Sequence, residues 1–290
     1  MAIKINWQDL QKRIINWQEV QKVMLNWNQI RPSSLSDDYF YIRIWWRGGS
    51  FSLEKVGNPT PISLEYSTDK VTWTDLPIDS TIWYYAPWNT TFYIRNKSAT
   101  PTWFSTGSSD YYHFKWDWMG GEFTVWWDIT FLLCKTWTST ITTDYCFFDL
   151  FYGIYVVDAS DLKITATTLR TMCYCDMFYG CTGLRNAPSL PTTTLAEWCY
   201  YGMFWGCTNL SKIPSLPATI LPNLCYATMF SNSNVLISGT QTWIYQTPYR
   251  IPSQWAGVEG QDSLYAMFNW TWQIATPNIN QTYYISQQVI

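Results

Sequence analysis

Apolar residues recur through the C-terminal half of the chain with a fixed step of 26. Leu169, Leu195 and Leu221 are so spaced, as are Cys173, Cys199 and Cys225, and Phe178, Phe204 and Phe230. Leu184, Leu210 and Leu236 keep the same step, as do Cys181 and Cys207. An earlier copy, ITTDYCFFDLFYGI, sets Cys146 and Phe151 one residue out of step, and DSLYAMF repeats the pattern after an insertion. A period of this length predicts a solenoid, because one unit cannot bury its apolar face alone and must stack on its neighbours. Leu195, Cys199 and Met203, at i, i+4 and i+8, predict a short helical face in each unit. The prolines of LSKIPSLP predict an extended return. The array is expected over 130–240, with a divergent capping repeat over 241–290.

Upstream the pattern changes to short alternating runs. YFYIRI, FSLEKV, ISLEYS, KVTWTDL, TIWYYA and TFYIRN are rich in aromatic and β-branched residues and are separated by VGNPTP, STDK and SATPT. Strands at this spacing predict a β-sandwich-like domain over 39–115, with Trp73 as an inward-facing strand residue. Residues 1–30 repeat Ile-Asn-Trp-Gln, Ile-Asn-Trp-Gln and Leu-Asn-Trp-Asn at a step of ten. That layout suits a small β-meander, with an amphipathic helix as the competing interpretation. RPSSLSDD, 31–38, reads as a linker. The fold class expected is therefore mainly β with short helices.

Composition narrows the function. Only 13% of the 290 residues are charged, and 18 basic against 21 acidic residues leave a net charge of −3. No basic footprint for nucleic acid or an anionic membrane results. No apolar run is long enough to span a membrane, and no secretory signal peptide is visible at MAIKINWQDLQKR. With a single histidine, His113, a His-based catalytic or metal site is not expected. Cys173-Tyr174-Cys175 lacks the spacing and the second pair of a zinc site, and five of the eight cysteines hold repeat positions where a free thiol packs as a small hydrophobe. No catalytic residue, metal or cofactor is assigned.

MFYGCTGL (177–184) and MFWGCTNL (203–210), joined by APSLPTTTLAEWCYYG, closely resemble the leucine-rich repeats of BspA-like bacterial surface proteins, with their F-x-G-C-x-x-L signature. The resemblance covers about 141–238. It implies an exported or cell-surface protein acting in adhesion, without enzymatic activity, on a protein or glycan of another cell. Tyr174, Tyr200 and Tyr226 recur at one position of each unit, either as a binding ladder or as packing. A phage virion or tail-fibre structural protein and a carbohydrate-binding module are the two alternatives.

Twenty tryptophans exceed the fourteen glycines, against a usual glycine content of about 7%. Many stand where a turn favours glycine: Trp7, Trp17 and Trp27 after asparagine, Trp45 and Trp46 before Arg-Gly-Gly, and Trp88, Trp116, Trp118, Trp126, Trp127, Trp255, Trp270 and Trp272. Some bacterial lineages read UGA as glycine, while a common alternative table reads it as tryptophan. Most of this group is therefore expected to be glycine in the organism, with Trp73 and Trp205 genuine. True enrichment, with exposed indoles stacking on sugars or sealing an interface, is the competing explanation.

Overall fold

The computed structural model describes residues 39–44, 48–78, 82–87, 89–116, 122–134, 140–269 and 274–290. These belong to Asp38–Ile290, the second of two units into which the chain divides. The expected meander over 1–30 and the linker over 31–38 lie outside the described residues. The protein is mainly β. Among the described residues the only helical turn is a 3-10 turn at Ile129–Leu132, and no helix is long and apolar enough to cross a membrane.

Eleven strands come first: β1 (Phe40–Ile44), β2 (Gly49–Val56), β3 (Leu64–Ser67), β4 (Thr74–Leu76), β5 (Tyr84–Ala86), β6 (Thr90–Asn96), β7 (Ser105–Gly107), β8 (Asp110–Trp116), β9 (Phe123–Asp128), β10 (Val156–Asp158) and β11 (Leu162–Lys163). One sheet runs β10-β9-β1-β6-β3-β4, with β11 also paired to β9; the other runs β5-β2-β8-β7. Alternation fixes their facing sides: Phe40, Ile42 and Ile44 are buried between half-buried Tyr41 and Arg43. The sheets meet through aromatic side chains, Phe40 on Phe114 and Phe51 edge-on to Phe92, with ring centroids 6.1 and 5.0 Å apart. Gly49, on the interior strand β2, leaves room for the Trp116 indole of β8, with which a Cβ there would clash. Trp73 sits just before β4 rather than within a strand, half-buried, with the Arg95 guanidinium 3.8 Å over its ring.

The first sheet does not end at 115. β9 pairs antiparallel with β1, and β10 and β11 join β9 in parallel. Phe114 stacks on Phe151 at 5.7 Å, so the core runs without a break from the two sheets into the repeat region.

In that region each unit contributes a run of tight turns. Alternate N–H groups leave the unit: those of Met172, Tyr174, Asp176, Phe178 and Gly180 donate to the carbonyls of Glu197, Cys199, Tyr201, Met203 and Trp205 in the next one. The intervening N–H groups of Cys173, Cys175, Met177, Tyr179 and Cys181 close three-residue-back turns within the unit. Each of these backbone donors is satisfied without an α-helix, as burial demands. Positive φ recurs every fourth residue, at Met172, Asp176 and Gly180, and again at Trp198, Gly202 and Gly206. The expected helical face is thus corrected: the i, i+4 spacing is real, but it comes from the turn repeat, and left-handed residues at that interval forbid helix.

The stacked units bury two ring columns. Phe151, Phe178, Phe204, Phe230 and Phe268 follow one another at 5.2–5.7 Å. Phe147, Tyr174, Tyr200 and Tyr226 follow at 5.6–5.8 Å. The F-x-G-C-x-x-L signature has a physical content here. Phe178 enters the column, Gly180 takes φ +70, and the Cys181 thiol donates to the Phe151 carbonyl of the unit before, 3.0 Å away. Leu184 closes the core.

The remaining strands are β12 (Lys212–Ile213), β13 (Ile220–Leu221), β14 (Ile237–Ser238), β15 (Thr247–Arg250), β16 (Val258–Glu259), β17 (Thr282–Ile285) and β18 (Gln288–Val289). Lys212 is the end of a parallel row, Asp158–Asn186–Lys212, and β18 pairs with β12 in parallel at that point. β17 runs antiparallel between β14 and β15. Leu236 leaves the apolar row it keeps in sequence: Val235 and, in β14, Ile237 are buried on either side of it, and Leu236 is about half exposed.

Candidate functional site

Stacking in register makes each position of the unit into a row, and rows differ in direction. Tyr174, Tyr200 and Tyr226 form an inward row, fully buried and stacked ring on ring. They cannot form an exposed binding ladder; they are packing. The outward row at this level is Tyr152, Tyr179 and Trp205. Its rings stack at 4.9 and 4.2 Å, within 10° of parallel. Tyr152 is 45% exposed, and Tyr179 and Trp205 are half-buried. The row ends where Ser231 takes the next place. Sequence reasoning aligned Trp205 with Tyr179 but missed the row, because its members differ in type.

Beside it lies a carboxylate pair one unit apart, Asp149 and Asp176. Burial pushes the Asp149 carboxyl up to about 7, with repulsion from Asp176 adding to the rise and a hydrogen bond from Tyr111 opposing it. Burial likewise pushes Asp176 up to about 6, opposed by the Cys175 thiol, which donates to its Oδ2 at 3.3 Å. The next unit makes room for this carboxylate with Gly202, where a Cβ would lie 2.0 Å from Asp176 Oδ1. The surface around the aromatic row is therefore largely neutral below pH 6.

A pH dependence follows. Both carboxyls have folded values above the 3.8 of the free side chain. Their contribution to stability is complete below about pH 4 and is lost as pH rises through about 6 and 7. The Asp149→Asn/Asp176→Asn protein is expected to melt several degrees higher than the parent at pH 8, a gain on the order of 2 kcal/mol. At pH 4 the two should melt together. Parallel melting curves at all pH values would remove the effect.

The other reactive groups are held out of chemistry. All eight cysteines are buried and none forms a disulfide, and burial raises the Cys173 and Cys181 thiols well above the usual range and Cys199 to about 12. Such thiols are poor nucleophiles. His113 on β8 faces Glu54 on β2, with Nε2 2.8 Å from the carboxylate. Burial lowers its pKa, and the Glu54 contact works against that shift. Among the described residues no group of three or more His, Cys, Asp or Glu side chains converges to hold a metal ion.

Of the tryptophans expected at turns, Trp116, Trp126 and Trp127 instead lie in β8 and β9, where Trp116 packs on Phe123 and Trp126 on Tyr41, and Trp255 lies in a bend. Trp127 has φ +75, an unusual value for a large side chain. Trp7, Trp17, Trp27, Trp45, Trp46, Trp88, Trp118, Trp270 and Trp272 lie outside the described residues. No family model, curated protein or solved structure matches this chain.

Proposed function

We propose that this is a non-enzymatic recognition protein of the leucine-rich-repeat, BspA-like kind, in which a short solenoid grown from a β-sandwich presents an aromatic, charge-poor surface to a protein or glycan on another cell. The observation that carries the proposal is the outward row Tyr152–Tyr179–Trp205. The repeat register aligns its rings at the surface, where uncovered aromatic area marks contact with a partner more often than a folding need. Low charge agrees with this: association would rest on shape and ring contact rather than on steering.

The test uses the labelled full chain on an array carrying acidic glycans beside extracellular-matrix proteins. Saturable binding is expected, weakened about tenfold or more by Tyr179→Ser/Trp205→Ser. The variant should still fold, because both side chains are half-exposed and lie outside the buried columns. Binding that survives this change, or no saturable binding to any array member, would overturn the proposal.

A further inference from the structure

The repeat step is constant until one place. Trp198 and Leu224, at equivalent positive-φ positions, are 26 residues apart, but the next such residue, Asp262, comes after 38. The added chain leaves the array after β14, turns at Thr242–Gln246 and returns as β15. Insertions in repeat proteins map to loops on one face, and loops carried by a rigid scaffold are where binding residues concentrate.

The turn is tied down from within. Gln246 Oε1 accepts from the Thr242 N–H at 2.7 Å, the Thr242 hydroxyl at 3.1 Å and the Trp243 N–H at 3.2 Å. The Gln246 N–H donates to the Trp243 carbonyl, and its side-chain amide reaches Ser238 Oγ at 3.4 Å. A fixed turn would not normally spend its tip on large apolar groups, yet Trp243 is 65% exposed and Tyr245 77%. Two clefts of about 370 and 260 Å³ share Trp243, Gln246 and Ser286; Tyr245 lines the first, and Leu236, Ser238 and Thr242 help line the second.

We infer that this tip is a binding site for a neutral glycan. A pyranose offers an apolar C–H face and a rim of hydroxyls, and needs a flat exposed ring with hydrogen-bonding groups beside it. Trp243 and Tyr245 supply rings. Thr242, Gln246, Ser238 and Ser286 supply hydroxyl and amide groups. No lining residue of either cleft carries a formal charge, so the site matches an uncharged ligand rather than a phosphate, a sialylated chain or a basic peptide. The larger cleft falls within the 300–1,000 Å³ usual for small-ligand sites. Pinning the turn before binding removes an ordering cost that a mobile loop would carry.

The inference rests on the recognition reading and is tested so that the two can fail separately. The full chain is titrated with neutral hexose and N-acetylhexosamine oligosaccharides, alongside Trp243→Ala, Tyr245→Ala and Tyr179→Ser/Trp205→Ser proteins. Saturable binding of a neutral oligosaccharide is expected, about tenfold or more weaker in Trp243→Ala and unchanged in Tyr179→Ser/Trp205→Ser. Trp243 is largely exposed, so its alanine variant should keep the parent melting temperature. Binding unaffected by Trp243→Ala but lost with Tyr179 and Trp205 would overturn this site and leave the wider proposal standing. Failure of every neutral oligosaccharide to bind, with a protein of the array still captured, would do the same.

Discussion

Phe204→Ala is expected to lower stability by about 3–5 kcal/mol, a large share of the ~5–15 kcal/mol that holds a typical domain together. Phe204 is fully buried, and its ring lies between Phe178 at 5.7 Å and Phe230 at 5.6 Å, within 12° of parallel to both. Removing it deletes two stacking contacts and leaves a void that the neighbours cannot fill, since their backbones are fixed by the bonds from Phe178 to Met203 and from Phe204 to Met229. Because Phe204 stacks on the rings of the units before and after it, the loss falls on the contacts at both sides. Urea unfolding followed by circular dichroism reads the effect as a lower midpoint. A second, earlier transition is expected as the units beyond the void uncouple. Trp205→Ala, one residue along but outside the column, should cost far less. A loss below about 1 kcal/mol for Phe204→Ala would mean that the column is not the core of the repeats.

The 26-residue register was legible in sequence apart from Leu236, which leaves its buried row; the direction each row faces was not. A 26-residue step shows that Tyr174, Tyr200 and Tyr226 occupy equivalent places, and the structure stacks them, but equivalence does not say which side of the chain a row faces. Here Cys173 and Cys175 flank Tyr174 and are buried with it, so the whole segment lies inside. The outward row escaped notice because Tyr152, Tyr179 and Trp205 share flatness rather than identity. The one-residue offset of the first copy survives in the structure, where Tyr145 and Met172 hold equivalent positive-φ places 27 residues apart. The turn run was misread as helix because a left-handed residue at every fourth place imitates helical spacing. The pairing of β17 with β14 and β15 had no local signal at all, since its partners lie about 35–50 residues away and long-range pairing leaves no periodic trace.

The C-terminal tryptic peptide from the native organism is expected to be lighter than the written sequence by at least one indolylmethyl side chain. Gly153, Gly180 and Gly206 hold equivalent places at φ +69, +70 and +71, and Asn232 continues the row at φ +53. Glycine and asparagine are the residues that enter this region at least cost. The positive φ, rather than crowding, selects these residues, because a Cβ on Gly206 or Gly180 would sit at an ordinary 3.6 Å from the glycine of the unit before. The longer step that carries Leu224 to Asp262 and Thr228 to Ala266 carries Asn232 to position 270, where the sequence has Trp270. Position 270 lies outside the described residues, and Asn269-Trp270 is one more Asn-Trp pair like those at Trp7, Trp17 and Trp27. Trypsin places Trp7 and Trp17 on separate peptides, Trp243 on the peptide ending at Arg250, and Trp255, Trp270 and Trp272 together on Ile251–Ile290. We expect glycine at 7, 17, 27 and 270, and tryptophan at 205 and 243, where the side chain belongs to a ring row or a binding tip. Tryptophan at all of these positions would end the recoding hypothesis and turn the indoles at turns into further candidates for the binding surface.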